Sequence, residues 1–173
     1  MNRRQLNWEK VNNARTLSSL LIATVFGAGL LPLAPGTMGT LAALPVAYWT
    51  QEWSWIARVL FWVSITGIGT WAALVFDQTM QTDDNQNIVI DEFIGLGISA
   101  WTAGQAWVTW IVAFGLFRFF DALKPPPIRQ IDAWSKKLAS PWWRAFGVIA
   151  DDIVAAFVTL FIILILQWLR VLP

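Results

Sequence analysis

The feature that most constrains this chain is the stretch Asp83-Asp84-Asn85-Gln86-Asn87-Ile88-Val89-Ile90-Asp91-Glu92-Phe93-Ile94-Gly95, in which four of eleven acids stand against an apolar run of membrane grade. From Ile88 to Trp101 nearly every residue other than Asp91 and Glu92 is apolar, so two carboxylates sit at the start of a greasy helix. A charge at bilayer mid-depth costs about 2.5–3.5 kcal/mol even on the mild insertion scale. A second pair, Asp151-Asp152, heads another apolar run. Four such buried carboxylates would cost roughly 10 kcal/mol, comparable with the stability of a whole domain. The acids must therefore lie at an interface, be held by a cation, or both.

Composition places the fold in a membrane. Of 173 residues 57% are hydrophobic and 13% charged, and the mean hydropathy is +0.54, far from the quarter-charged content of soluble domains. Several of the thirteen Trp fall near the ends of apolar runs, as interfacial anchors do. A net charge of +1 without a basic, aromatic-interleaved patch gives no sign of nucleic-acid binding. The absence of Cys and His removes thiolate and imidazole chemistry, both as nucleophile or base and as metal ligand. Catalysis is left to carboxylates, Lys, Arg, hydroxyls or water activated by a metal, and an ion bound by oxygen alone is hard, Mg²⁺ first.

Along the chain, the leader carries Arg3, Arg4, Lys10 and Arg15 against Glu9, and the positive-inside tendency puts it in the cytoplasm. Residues 17–31 and 40–49 are each too short to span, with Gly27, Gly29, Pro32, Pro35, Gly36 and Gly39 between or within them. This predicts either a re-entrant hairpin or one kinked helix. The turn Pro35-Gly36-Thr37-Met38-Gly39-Thr40 precedes a helix start that can receive phosphate oxygens. Residues 59–76 form a spanning run, 93–100 and 107–117 a helical hairpin, and 153–169 a final span. Residues 118–144 read as the main polar loop, with six basic residues that make it cytoplasmic. Within it Pro125-Pro126-Pro127 stops a helix that aligns Arg118, Asp121 and Lys124.

With leader and loop on one side, the acids and these cations gather near one membrane face, as a site for a metal and a phosphate requires. Adjacent helical residues point about 100° apart, so Asp91 is expected to ligate the ion and Glu92 to serve a second ion or act as a base. The same step separates Asp151 from Asp152. Asp77, Asp83 and Asp132 read as interface markers only. An ion or proton transporter would spread its acids across membrane depth instead, and a CDP-alcohol transferase-type Mg²⁺ enzyme of phospholipid synthesis would carry an Asp-Gly-x-x-Ala-Arg motif, which is absent.

The chain resembles the bacterial phosphatidylglycerophosphatase A family over roughly residues 20–166. Four motifs in order carry the resemblance. They are Gly27-Ala28-Gly29 with Pro32 and Ala34-Pro35-Gly36-Thr37-Met38-Gly39-Thr40; Ile88-Val89-Ile90-Asp91-Glu92-Phe93-Ile94-Gly95; Phe117-Arg118-Phe119-Phe120-Asp121 with Lys124-Pro125 and Pro127-Ile128-Arg129; and Gly147-Val148-Ile149 with Asp151-Asp152-Ile153-Val154-Ala155. The resemblance implies an all-α, small polytopic membrane protein, a single integral membrane domain over residues 1–173 with a cytoplasmic N-terminus (1–16) and cytoplasmic loop (118–146). It implies an Mg²⁺-dependent hydrolase of the bacterial cytoplasmic membrane, which removes the terminal phosphate of phosphatidylglycerophosphate at the cytoplasmic face. Catalytic residues would be Asp84, Asp91, Glu92, Asp121, Asp151 and Asp152; metal ligands Asp84, Asp91, Glu92 and Asp152; phosphate ligands Thr37, Gly39, Thr40, Arg118, Lys124 and Arg129. Whether water or an Asp attacks phosphorus stays open. Relatives that carry His beside the position of Asp84 differ from this chain, whose neighbours there are Asp83 and Asn85.

Overall fold

A computed structural model describes residues 6–32 and 34–173; Arg3 and Arg4 of the basic leader lie outside them. The described residues form seven α-helices and three short 3-10 turns, with no strands. The helices are α1 (Ala14–Ala23), α2 (Pro35–Trp49), α3 (Trp55–Met80), α4 (Ile90–Ser99), α5 (Trp107–Leu123), α6 (Ile128–Ser135) and α7 (Pro141–Trp168).

Local chemistry sets the boundaries. Asn13 and Thr16 form a reciprocal capping box at α1, which satisfies amides that the first turn leaves unpaired. Pro35 and Pro141 occupy first-turn positions, where a missing N–H costs nothing. Ser54 Oγ accepts from the Ala57 amide and starts α3. Lys124, in the left-handed region at φ 44°, closes α5 ahead of three prolines.

Two helices, α3 and α7, are long and apolar enough to cross a membrane. Both exceed the expected spans. α7 begins at Pro141, so Asp151 and Asp152 stand inside a long helix and not at its head. Arg58, just before the expected span of 59–76, lies within α3. The polar stretch 118–144 is largely helical, made of the end of α5, all of α6 and the start of α7. The interrupted segment 17–50 is two separate helices, α1 and α2, joined through the turn Ala28–Leu30.

The short α4 is the pillar. At ten residues it is about 15 Å long, and Ile90, Phe93, Ile94, Gly95, Leu96, Gly97 and Ser99 are buried against α7, α2, α3 and α5. Its far end is pinned by Gln51, whose Nε2 donates to the Ala100 carbonyl at 3.0 Å and whose Oε1 accepts from the Gly104 amide at 3.3 Å. Gln167 of α7 donates to the Thr102 carbonyl at 3.1 Å in the same region.

Helix directions then fix the site. The start of α2, the end of α3, the start of α4, the end of α5 and the first half of α7 converge at one end of the bundle. That end exposes Trp8, Trp134, Trp142 and Trp143, and the other exposes Tyr48, Trp49, Trp55, Trp107 and Trp168. Between them Leu60, Val63, Ile111, Phe157, Phe161 and Leu164 are exposed, an apolar waist between two aromatic collars.

Candidate active site

The loop from α3 to α4 is built around Asp77. Its carboxylate accepts from the Thr82 hydroxyl at 2.7 Å and from the amides of Asp84 and Asn85 at 3.0 and 3.1 Å. Asn85 Oδ1 in turn accepts from the Asn87 amide at 3.0 Å, and the Val89 amide donates to the Ala23 carbonyl at 2.9 Å. These bonds hold Asp84 in the left-handed region at φ 61° and deliver the chain to the first turn of α4. The positive end of that helix faces Asp91 and Glu92, a favourable placement worth about 0.3–1 kcal/mol each.

Asp91, Glu92 and Asp152 each offer an oxygen, and the three atoms lie within 4.8 Å of one another. The expected division of Asp91 from Glu92 thus does not hold. Side chains in a first helical turn lean past the N-terminus, and the extra methylene of Glu92 spans the angular step. Asp91 Oδ1, Glu92 Oε2, Asp152 Oδ2 and the neighbouring Asp151 Oδ1 are all buried without a hydrogen-bond partner. Burial pushes Glu92 up to about 7 and Asp91 well above its ordinary range, with neighbouring carboxylates adding to the shift of Asp91. Orphaned buried oxygens at this spacing fit a hard, oxygen-liganded cation.

Cations frame this group. Arg118 lies 3.6 Å from Glu92 and is held on its other side by Asp121. Lys124 donates to Asp151 and stands 3.7 Å from Asp132, which also binds Lys136 at 2.7 Å. Burial alone would lower the Lys124 ammonium, but Asp151, Asp152 and Asp132 outweigh it and hold it above its ordinary value. Arg144 approaches Asp83 at 3.8 Å.

Two adjoining clefts result. One, of about 310 Å³, is lined by Ala34–Gly36, Asp84, Asp91, Glu92, Arg118, Asp121, Lys124 and Asp152 among others. The second, of about 200 Å³, carries Lys124, Lys136, Arg144, Asp132 and Asp151. Asp84, Asp91 and Lys124 belong to both.

The structure distributes the remaining expected residues differently. Asp84 lines both clefts but stands outside the three-carboxylate group. Thr37, Gly39 and Thr40 line neither cleft; the Thr40 hydroxyl donates to the Gly36 carbonyl at 2.8 Å, and a Cβ on Gly39 would meet Val89 Cβ at 2.6 Å. The turn instead lends its close-approach glycine, Gly36, where a Cβ would drive into Glu92 and Arg118. Arg129 is exposed on α6 and lines neither cleft. The sequence reads Asp77 as an interface marker only and Lys136 and Arg144 as basic residues of the polar loop, with no place in the site. Asp77 could have been found from its place at the end of an apolar run just before Thr82-Asp83-Asp84-Asn85, a pattern suited to capping by a carboxylate.

The fold and site define a class: an all-helical, membrane-associated enzyme whose site joins buried carboxylates to guanidinium and ammonium groups. Comparison with known proteins agrees. The family description Phosphatidylglycerophosphatase A matches residues 21–167. A relative of that name from Haemophilus influenzae is 33% identical over 150 residues, covering 86% of this chain and 88% of the relative. Another of the same name from Escherichia coli is 35% identical over 140 residues, covering 80% and 77%. A third, from Bacteroides thetaiotaomicron, is 30% identical over 165 residues, covering 86% and 93%, and is described as a candidate phosphatidylinositol-3-phosphatase. No solved structure matches. The chain belongs to the phosphatidylglycerophosphatase A family and is an enzyme, a phosphatase of lipid metabolism.

Proposed function

We propose that this enzyme is an Mg²⁺-dependent phosphatase that hydrolyses the terminal phosphomonoester of phosphatidylglycerophosphate to phosphatidylglycerol and phosphate. The observation that carries the reading is the group Asp91, Glu92 and Asp152, with unpartnered oxygens, set opposite Arg118 and Lys124. Those three carboxylates would hold Mg²⁺, with Asp84 adjoining; the ion supplies charge neutralisation and Lewis acidity when bound.

The protein's own groups account for the rest. Arg118, oriented by Asp121, and Lys124, oriented by Asp151, bind the non-bridging phosphate oxygens and neutralise the charge that spreads over them in the transition state. Water attacks phosphorus, the bond to the glycerol oxygen breaks, and that oxygen takes the proton that Asp84 accepts from the water. Asp84, at the junction of both clefts and in no ion pair among the described residues, receives the proton from the water. Lys136 and Arg144 in the second cleft suit the phosphodiester deeper in the headgroup.

The chain is a single multi-pass domain of the bacterial cytoplasmic membrane with this site facing the cytoplasm. The two aromatic collars and the basic residues of 118–144 support that orientation. The test is phosphate release from phosphatidylglycerophosphate and, separately, from phosphatidylinositol 3-phosphate by detergent-purified protein, with and without Mg²⁺. Mg²⁺-dependent release from the first, abolished in Asp91→Asn and Asp152→Asn, is expected. Preferential release from the second would transfer the assignment to an inositol lipid, and release from neither would overturn the phosphatase reading.

A further inference from the structure

The end of the bundle farthest from the acids carries a constellation that phosphate hydrolysis leaves unused. Arg58 is 8% exposed, yet no carboxylate among the described residues lies within ion-pairing distance of it. Its Nη2 donates to the Trp101 carbonyl at 2.7 Å, its guanidinium covers the Trp101 ring at 4.1 Å, and its Nε has no partner. Two more buried donors close by in the chain are also unpartnered: Trp62 Nε1, one turn further along α3, and Thr102 Oγ1, next to Trp101. A guanidinium with free N–H groups in apolar surroundings is incomplete without an anion, and phosphate oxygens match its fork.

Beside it, α3, α4 and α7 leave an apolar groove of about 500 Å³ lined by Val59, Trp62, Val63, Ile98, Trp101 and Phe157, among others, with Thr66 its one polar wall residue. Val63 and Phe157 are 63% and 57% exposed, on the waist between the aromatic collars. The groove is walled by Trp62 and by Trp101, the ring that the Arg58 guanidinium covers, so the cation stands beside the groove. Arg58 precedes Asp77 by nineteen residues of α3, about 28 Å at helical rise and close to the thickness of a hydrocarbon core.

We propose that this is a binding site for an anionic phospholipid of the surrounding bilayer, with its phosphodiester at Arg58 and one acyl chain in the groove. The site is distinct from the catalytic clefts and rests on the bundle's membrane setting, not on its substrate.

The test uses full-length protein in detergent and follows thermal unfolding and, by native mass spectrometry, bound lipid. The probes are dioleoylphosphatidylserine, dioleoylphosphatidylcholine and inorganic phosphate. Phosphatidylserine at about a hundredfold excess over Kd should raise Tm by about 5 °C or more, phosphatidylcholine by much less, and phosphate not at all. Asp152→Asn should keep the phosphatidylserine shift. Arg58→Gln should lose the preference for the anionic lipid, and Val63→Trp, at an exposed position that tolerates substitution, should lose binding with Arg58 intact. Should Arg58→Gln fail to fold, Val63→Trp carries the test. Equal shifts with both lipids, a shift retained in Val63→Trp, or its loss in Asp152→Asn would overturn the proposal. A concentration-dependent dimer that Val63→Trp dissociates, without lipid preference, would overturn it in favour of a second copy in the groove.

Discussion

Replacing Gly36 with Ala separates what a helix wants from what the site needs. Gly36 lies in the first turn of α2 with ordinary helical backbone, so by propensity alone Ala should be neutral or stabilising by up to about 1 kcal/mol. Its Cβ, however, would stand 3.0 Å from Glu92 Cδ and 3.1 Å from Arg118 Nη1, and closer still to Glu92 Oε1. Ordinary contact needs about 3.5–4.0 Å, so the carboxylate carbon must withdraw by roughly 0.5–1 Å and its nearer oxygen by more than about 1 Å. Glu92 has flexible torsions and can yield cheaply. In yielding, it leaves the group whose oxygens lie within 4.8 Å and its 3.6 Å contact with Arg118. A displacement of about 1 Å in a reacting site costs roughly 100-fold in rate. The expected outcome is a Tm within about 4 °C of wild type with kcat/KM reduced about 100-fold, read by thermal unfolding and phosphate release on one preparation. Activity within threefold of wild type would refute the argument. The control is Gly39→Ala, where the Cβ meets the Val89 carbonyl at 2.8 Å and Val89 Cβ at 2.6 Å. Backbone cannot yield as a side-chain tip does, so this variant should lose about 1–3 kcal/mol of stability.

Asp152→Asn removes a 2% exposed carboxylate with an orphaned oxygen; metal-free protein should gain about 1–3 kcal/mol in chemical denaturation while phosphate release falls at least about 100-fold. Asp77→Ala frees the Thr82 hydroxyl and two amides; a loss of about 3 kcal/mol is expected, with activity falling further than the folded fraction does. In chelator-washed protein Glu92, raised from 4.5 to about 7, binds its proton more tightly folded than unfolded, so its contribution to stability should decline as pH rises from 4.5 to 7. That share is of order 3 kcal/mol, and Glu92→Gln should lessen the total decline by about that amount in denaturation measured across the range, with the share of Asp91 remaining.

The chain's pattern made the helical class, the two long apolar helices, the α4–α5 hairpin and the arrest of α5 at its prolines legible, because each follows from local apolarity or from a missing N–H. Helix starts were less legible. Residues 141–144 read as the end of the polar loop and the final span as starting at 153, yet α7 begins at Pro141 because Ala145, Gly147 and Ile149 bury against the bundle. Long-range jobs were not legible at all. That Gly36 admits Glu92 and Arg118, or that Asp77 organises residues seven and eight places on, depends on which helix ends meet. The angular step between neighbouring acids was a sound guide inside a helix, where it sends Asp151 to Lys124 and Asp152 to Asp91 and Glu92. It failed in the first turn of α4, where side chains lean off the end of the helix.

That contrast accounts for how one site can hold so many acids. A carboxylate in an apolar helix needs compensation, and the two of α7 differ: Asp151 takes an ammonium from the end of α5, while Asp152 is in no ion pair among the described residues. α4 adds two more acids from its first turn, so they meet Asp152 at one end of the bundle with backbone amides behind them. The cations come from a third direction, held by Asp121 and Asp132 as well as by the group they face. The excess negative charge is thereby confined to three converging oxygens, and the neutralised remainder forms a wall against which a phosphate can rest. An arrangement of acids spread along α3 and α7 would suit the passage of ions along the bundle; gathered at one end, with cations at their rim, they suit the proposed site for an anion.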